Sequence, residues 1–411
     1  YEDDMLDSLQ WLGIDYDNKG EIWRQSERVE IHKQKMQELI KNGFAYISQE
    51  TEGENKEVVR FKNPGGKVKF QDLIRGEVEI DVSDLGDFII GRNINEPVYH
   101  MAVVVDDMDA QITHIIRGED HISNTPRHIL ILEALGGTRP IYAHLPLIIA
   151  TDKSKLSKRK HGESVSLKYY RDKGYESEAI INFITMIGWN LGTDQEIFSM
   201  AEFIKVFDIK KVQKKAGVFN IDKLDWINRE YILHQTKEKH LENLKSQVEK
   251  TKWKDSEKFK DENFVEKFLE IILDRIHRWG EVGEIMEAGE FDYLFEKPKL
   301  EREKVCWKNQ TAEGAKKSLE TILKIITTSL PEFLIVGDIK NGEKTGSNTT
   351  LFWNEIMKLT EKEGKGEILW PLRYALSGRE KSPDPFSLIE ILGIQESKER
   401  VDKVIEVLNK N

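Results

Sequence analysis

The sequence predicts an α/β fold in its first half and an all-α fold in its second, from three patterns. Residues 112–116, 124–135 and 141–149 read as strand, helix and strand, and a cationic loop follows directly. That order implies a parallel sheet with its ligand at the strand ends. From residue 58 the texture is one of short strands, at 58–62, 67–70, 77–82 and 88–91, with turns at Pro64-Gly65-Gly66 and at 84–86, as alternating or β-branched runs between turn residues require. After residue 166 apolar side chains recur at helical spacing, with no strand pattern of note.

In chain order, 4–13 is a helix with Met5, Leu9 and Leu12 on one face and Gly13 ending it. A turn-rich piece covers 15–20. The next helix is predicted to open after Ser26, a good N-cap, with Glu27 in the first turn. Val29, Met36, Leu39 and Ile40 form its apolar stripe, and Gly43 stops it where φ > 0 is favoured. Residues 44–47 read as a strand, and 49–57 as a polar, exposed segment. The apolar run 98–105 is predicted as a longer strand that stops at Asp106-Asp107. Helices follow at 178–189, 200–207 and 219–232. Lysine and glutamate dominate 237–260, an exposed helix and linker. Amphipathic helices are expected at 264–279, 311–330, 351–363 and 398–408, with no internal repeat.

The chain has 411 residues, 39% hydrophobic and 33% charged, enough for two to four domains. No run of about 18 apolar residues is present, so no helical span of a bilayer is encoded. The start, Tyr1-Glu2-Asp3-Asp4, lacks the cationic and apolar regions of a secretory signal. It also lacks an initiator Met and a strand before the first helix, and reads as the middle of a domain. One cysteine, Cys306, excludes an internal disulfide and a cysteine-based zinc cluster within one chain; a reducing cytoplasm is the natural setting. The formal charge of −11 argues against nucleic acid as a partner. A nucleic-acid footprint depends on local patches, however, and two are visible, at 153–160 and at 205–215.

The first patch is the stretch with most chemistry in it. TDKSKLSKRKHGESVS, Thr151 to Ser166, sets Lys153, Lys155, Lys158, Arg159 and Lys160 among small hydroxyl residues, with Leu156 the only aliphatic side chain between Lys153 and Lys160. Ammonium groups there suit a polyphosphate and the charge that builds on a departing phosphate oxygen; the plain alternative is a solvated basic turn. Arg117-Gly118-Glu119-Asp120 follows a strand. The arginine could grip a carboxylate and an acid could hold ribose hydroxyls, or the segment is a turn with an internal ion pair. Tyr99 in the run 98–105 would ordinarily be core. It becomes a site candidate because Arg117 is expected on a nearby strand. His121 and His128 lack metal-ligand spacing and read as helix-surface residues, and Asp106-Asp107 read as a chain turn rather than a magnesium site.

Together these segments resemble bacterial-type glutamyl-tRNA synthetase, of the class I aminoacyl-tRNA synthetases. KLSKR at Lys155 to Arg159 looks like the second signature loop of that class. WLGIDYD, WRQSER, FQDLIRGEV, YHMAVVVDD, ITHIIRGEDHISNTPRHILILEALG, AHLPLI, YRDKGYESEAIINFITMIGWN, FNIDKLDWINREYI and PLRYALSGREKSPDPFSLIEILG follow the family's order over almost the whole chain.

The resemblance implies an incomplete Rossmann-type catalytic domain at 1–45 and 113–150, with an inserted acceptor-end domain at 46–112. A KLSKR loop and helical stem-contact domain at 151–236 and an all-α anticodon-binding domain at 237–411 would follow. It implies ATP-dependent activation of glutamate to glutamyl-adenylate with Mg²⁺, and transfer to the 3′ end of tRNA(Glu), with tRNA(Gln) left open as a second acceptor, by a monomeric, cytoplasmic enzyme. Tyr99, Arg117 and His121 match the family's glutamate pocket. Lys155, Leu156, Ser157, Lys158 and Arg159, with Asp120, match its ATP site, Lys155 and Lys158 being catalytic.

Two departures stand out. The family's first signature, a His-Ile-Gly-His-like segment, and the strand before it are absent. That implies an amino-terminally truncated or incompletely recovered sequence, with negligible glutamate activation if it is complete as given, or a tRNA-binding paralogue that has lost catalysis. Retention of Tyr99, Arg117 and the KLSKR loop favours the enzyme. The long region after residue 240 argues against a relative that glutamylates a queuosine base. The stretch 46–51, where some members carry zinc on cysteines, has none, so no zinc is expected. His100 stands where an asparagine is usual.

Overall fold

In the computed structural model, which describes residues 2–17, 22–50, 56–328 and 347–409, helix α1 spans Glu2–Trp11 and α2 spans Val29–Lys41. The side chains of Lys158 and of residues 347–352 lie outside the described set, as do parts of the predicted segments 15–20, 46–51, 49–57 and 311–330. The chain divides into two units, residues 1–171 with 176–228, and 172–175 with 229–411.

Among its described residues the first unit holds three sheets. Strands β1 (Ala45–Gln49), β2 (Glu57–Phe61), β5 (Phe88–Asn93) and β6 (Glu96–Pro97) form an antiparallel sheet in that order. Strands β3 (Lys67–Asp72) and β4 (Gly76–Asp81) make a hairpin. The hairpin joins a second sheet, in which β3 runs parallel to β8 (Ile141–Leu145), and β8 parallel to β7 (His114–Gly118). Helix α4 (Thr125–Ala134) is the crossover between β7 and β8, as a parallel pair requires. The predicted strand 141–149 is broken at Pro146, which has no N–H for a ladder; its last part is β9 (Ile148–Ile149), paired in parallel with β10 (Gly217–Val218).

The run 98–105 is a helix. Helix α3 spans Tyr99–Asp109, and Met101, Ala102, Val104 and Val105 are buried on it. A continuous apolar run carries no period that separates strand from helix. Valine in a helix costs roughly half a kcal/mol per residue, which burying four side chains against α2, α4 and β5 outweighs. Asp106 and Asp107 therefore lie inside a helix rather than at a turn. Asp106 accepts from Arg28 at 2.7 Å and pairs with His32 at 2.8 Å, tying α2 to α3. Ser26 does not cap α2; it sits in a 3₁₀ turn, Gln25–Glu27, and Arg28 takes the N-cap position. Gly43 does follow α2 at φ +81°. Met36, Leu39, Phe61, Ile90, Met101, Val105 and Ile131 form the core that holds α2, α3, α4 and the antiparallel sheet together.

Helices Ser177–Gly188, Met200–Val206 and Ile221–Leu233 stand where periodicity predicts them. The second unit is helical throughout its described residues, around a core in which Phe268, Ile322, Leu372, Leu388 and Val404 are fully buried. Lys237–Val248 is more than an exposed linker, since His240, Leu244 and Val248 are buried along one face.

Candidate functional site at the ends of two parallel strands

Arg117 and His144 are register partners on β7 and β8, one residue before the strands end at Gly118 and Leu145. In-register partners on neighbouring strands project to the same face, so the guanidinium and the imidazole meet. Arg117 Nε donates to His144 Nε2 at 3.4 Å. Its Nη2 donates to Thr125 Oγ1 at 2.8 Å, and its Nη1 lies 3.2 Å from His128 Nδ1. Thr125 and His128 sit in the first turn of α4 and are buried. The remaining guanidinium N–H groups are free for a ligand, and no carboxylate among the described residues forms an ion pair with Arg117.

Three histidines around this cation are held neutral. Burial, then the Arg117 charge, pushes His128 down to about 3. Burial chiefly, with help from Arg127 and Arg117, lowers His100, and burial also lowers His144 against the pull of Asp72. His128 is thus not a helix-surface residue. It is 4% exposed and bridges Arg117 to His100, whose Nδ1 lies 3.0 Å from His128 Nε2. Tyr99 is not core either, for it is 45% exposed at the start of α3. Its ring lies 5.7 Å from His100, 5.9 Å from His121 and 5.7 Å from His128, centroid to centroid. Tyr99, Arg117 and His121 are therefore brought together, with an open aromatic wall beside a half-buried cation.

Asp120 faces the cationic loop. Lys155 Nζ lies 2.8 Å from Asp120 Oδ2, and this hydrogen bond lowers the carboxyl's pKa. The loop is pinned at its base by Ala150 N to Ser154 O at 2.8 Å, and by Leu156 N to Ile148 O at 3.5 Å. Lys153 takes φ +65° in the turn, and Lys160 pairs with Asp152 at 2.6 Å. Ser157 N donates to His161 Nδ1 at 3.2 Å, and Arg159 is exposed. Lys158 opens the short helix Lys158–His161, but its side chain lies outside the described residues. The Lys155–Asp120 contact joins the loop to the segment that follows β7, three residues beyond Arg117.

Sequence reasoning missed the residues that support this arrangement. Asp72, at the end of β3, accepts from the Ile74 and Arg75 amides at 2.9 and 2.8 Å. It also accepts from the His144 amide at 3.0 Å, and its Oδ2 lies 2.6 Å from His144 Nδ1. Arg75 pairs with Glu119 at 2.5 Å, and Glu119 also accepts from the Leu147 amide at 3.0 Å. Asp72 lies 72 residues from His144, and no local pattern brings such a pair together.

Among the described residues no group of three or more histidines, cysteines and acids is placed to hold a metal ion. No helix there is long and apolar enough to cross a membrane.

Comparison with known proteins shows the family. The catalytic-domain family of class I tRNA synthetases (E and Q) matches residues 1–57 and 47–226, and an anticodon-binding-domain family matches 352–405. A glutamate–tRNA ligase of Aquifex aeolicus is 35% identical, covering 100% of this chain and 89% of its own length. One from Carboxydothermus hydrogenoformans is 32% identical, covering 97% and 88%. A crystal structure of a glutamate tRNA ligase from Elizabethkingia meningosepticum in complex with its amino acid superposes with a TM-score of 0.79 at 26% identity, covering 99% of this chain and 89% of that one. The chain therefore belongs to the glutamate–tRNA ligases, class I aminoacyl-tRNA synthetases of the bacterial type.

Proposed function

We propose that this chain takes part in the two-step joining of glutamate to tRNA(Glu), with Arg117 gripping a carboxylate of the amino acid. A glutamate carboxylate oxygen attacks the α-phosphorus of ATP and pyrophosphate leaves; a terminal ribose hydroxyl of the tRNA then attacks the acyl carbon and AMP leaves. The observation that carries this reading is the guanidinium itself. It is half-buried, hydrogen-bonded only to uncharged groups, and linked through His128 to Tyr99, whose ring also meets His121. A planar fork of donors in that state favours a carboxylate.

Lys155, Lys158 and Arg159, with Leu156 and Ser157, border the place for the triphosphate. Their charge and backbone N–H groups would stabilise developing pyrophosphate charge by position and electrostatics, without a protein nucleophile. Asp120 holds Lys155 before ATP arrives. Mg²⁺ would enter on the ATP phosphates, where it keeps most of its water and needs few protein ligands. Residues 46–112 would serve the acceptor end, and 237–411 the anticodon. The same reading takes the enzyme as a cytoplasmic monomer without zinc, and leaves tRNA(Gln) as a second substrate.

The test is calorimetric titration of this chain with L-glutamate. Arg117→Ala should weaken binding by about a hundred-fold, the value of two charge-assisted hydrogen bonds at roughly 1.5 kcal/mol each. Unchanged affinity would overturn the assignment of Arg117.

A further inference from the structure

Asp72 and His144 have no exposed side-chain surface, so neither reaches a substrate, yet both are hydrogen-bonded into the site. We propose that this pair is a positioning device for Arg117: the Asp72 carboxylate locks His144 as its Nδ1–H tautomer, and the Nε2 lone pair so exposed orients the guanidinium toward the substrate carboxylate. The inference rests on the reading of Arg117 above, and concerns what aims that side chain.

The argument begins at Asp72. Burial opposes its charge, but three backbone N–H groups and the imidazole outweigh that, and its carboxyl stays below the usual range. An ionised carboxylate only accepts, so the nitrogen 2.6 Å away must be the donor. Neutral His144 then has its acceptor at Nε2, the atom facing Arg117 Nε at 3.4 Å and Thr125 Oγ1 at 3.0 Å.

The opposite tautomer, or the imidazolium, would set an N–H against the guanidinium N–H. Burial, with the Arg117 and Arg75 charges, disfavours the imidazolium as well. Thr125 completes the triangle. Its oxygen accepts from Arg117 Nη2 at 2.8 Å, leaving its own proton for His144 Nε2 or for the His121 carbonyl at 3.2 Å. This is the carboxylate-fixes-tautomer logic found behind metal-bound and catalytic histidines, applied here to a substrate-binding arginine. Because Asp72 also caps the Ile74 and Arg75 amides, the turn of the β3–β4 hairpin is wired through His144 to Arg117.

The experiment has two readouts on the full chain. Nitrogen-15 imidazole spectra of the wild type at pH 6 to 8 should show His144 protonated at Nδ1 and bare at Nε2; a protonated Nε2 overturns the proposal, with no variant required. Titrations with L-glutamate and with ATP then compare His144→Leu with His144→Gln, whose amide oxygen can stand in for the Nε2 acceptor. The leucine variant should raise the glutamate Kd about ten-fold, as loss of one hydrogen bond to a charged group implies, and leave ATP binding unchanged. The glutamine variant should recover most of that loss. Equal weakening by both variants, or parallel loss of glutamate and ATP, means a merely structural role and overturns it. Should Arg117→Ala abolish glutamate binding while His144→Leu spares it, the positioning role falls alone. Should Arg117→Ala have no effect, the reading of Arg117 falls first.

Discussion

Lowering the pH should loosen the first unit through its histidines, and the sign follows from their environment. His128 is pushed down to about 3 by burial and then by the Arg117 charge, against about 6.5 in an unfolded chain. Its folded pKa is depressed, so below pH 6.5 the unfolded state binds a proton that the folded state refuses. The stability present above pH 6.5 is therefore lost progressively toward pH 3. At 1.36 kcal/mol per unit, going from pH 7.5 to 5.5 costs about 1.4 kcal/mol from His128 alone. His100 and His144 are shifted in the same direction and add to the loss. Because the chain has two units, a single unfolding free energy is the wrong observable. Amide hydrogen exchange of peptides covering 125–134 reads the local opening free energy instead. After correction for intrinsic rates, wild-type protection should fall by about ten-fold or more between pH 7.5 and 5.5. His128→Asn, which keeps an acceptor near the Nδ1 position but cannot titrate, should lose about ten-fold less. Equal losses in the two proteins would refute the claim that a buried neutral His128 makes this unit acid-sensitive.

Lys155→Ala removes a pair whose side chains are 59% and 42% exposed, so thermal stability should change by less than about 1 kcal/mol. ATP affinity should drop by about ten-fold, since a charge-assisted contact to phosphate is lost; unaltered ATP binding by calorimetry would count against the loop's role. Gly217→Ala would put a Cβ 2.2 Å from Ile187 Cγ2 and 2.6 Å from the Ile187 carbonyl oxygen. Overpacking of that kind costs about 1–3 kcal/mol, so the melting temperature should fall; an unchanged melt would show that the β9–β10 pair yields easily. Elemental analysis of purified protein should find zinc well below one equivalent, because 46–51 supplies no thiolate; stoichiometric zinc would contradict this.

Much of the fold was legible, and the failures have physical causes. The strand–helix–strand order at 112–149 and the amphipathic helices of the second unit carry their own periods, and most of those elements stand where the pattern puts them, although the helix expected at 264–279 already ends at Leu273 and the strand at 141–149 breaks at Pro146. The run 98–105 was not legible as a helix, because it is apolar on every side and its helical state is decided by packing against α2, α4 and β5. Ser26 satisfied a local capping rule but lost to Arg28, whose side chain finds Asp106 and Asp109 across 78 and 81 residues of chain. In the site, Arg117 and Asp120 were visible because their residue types suit carboxylate and ribose chemistry, Tyr99 because Arg117 is expected on a nearby strand, and His121 only through the family resemblance, since by residue type it reads as helix surface. Asp72, Thr125 and His144 were not, because each owes its place to strand register or to the crossover helix. A buried Asp–His pair leaves no trace in composition or spacing.

The same register explains why Arg117 remains an open cation although two acids follow it two and three residues on. A guanidinium with a free carboxylate neighbour would pair internally, and its grip on a substrate would then be worth little after the internal pair was broken. Here both acids are diverted. Arg75, delivered by the hairpin turn, takes Glu119, and the Leu147 amide holds that carboxylate's other oxygen. Lys155, delivered by the cationic loop, takes Asp120. The groups that hydrogen-bond to Arg117 are neutral: Thr125, His128 and His144, the last with its lone pair aimed by Asp72; the nearby Asp107 carboxyl has its pKa raised by burial and does not form an ion pair with it. The hairpin turn and the cationic loop thus keep the Arg117 charge without an ion-pair partner among the described residues. An anionic substrate can then supply the partner that the fold withholds.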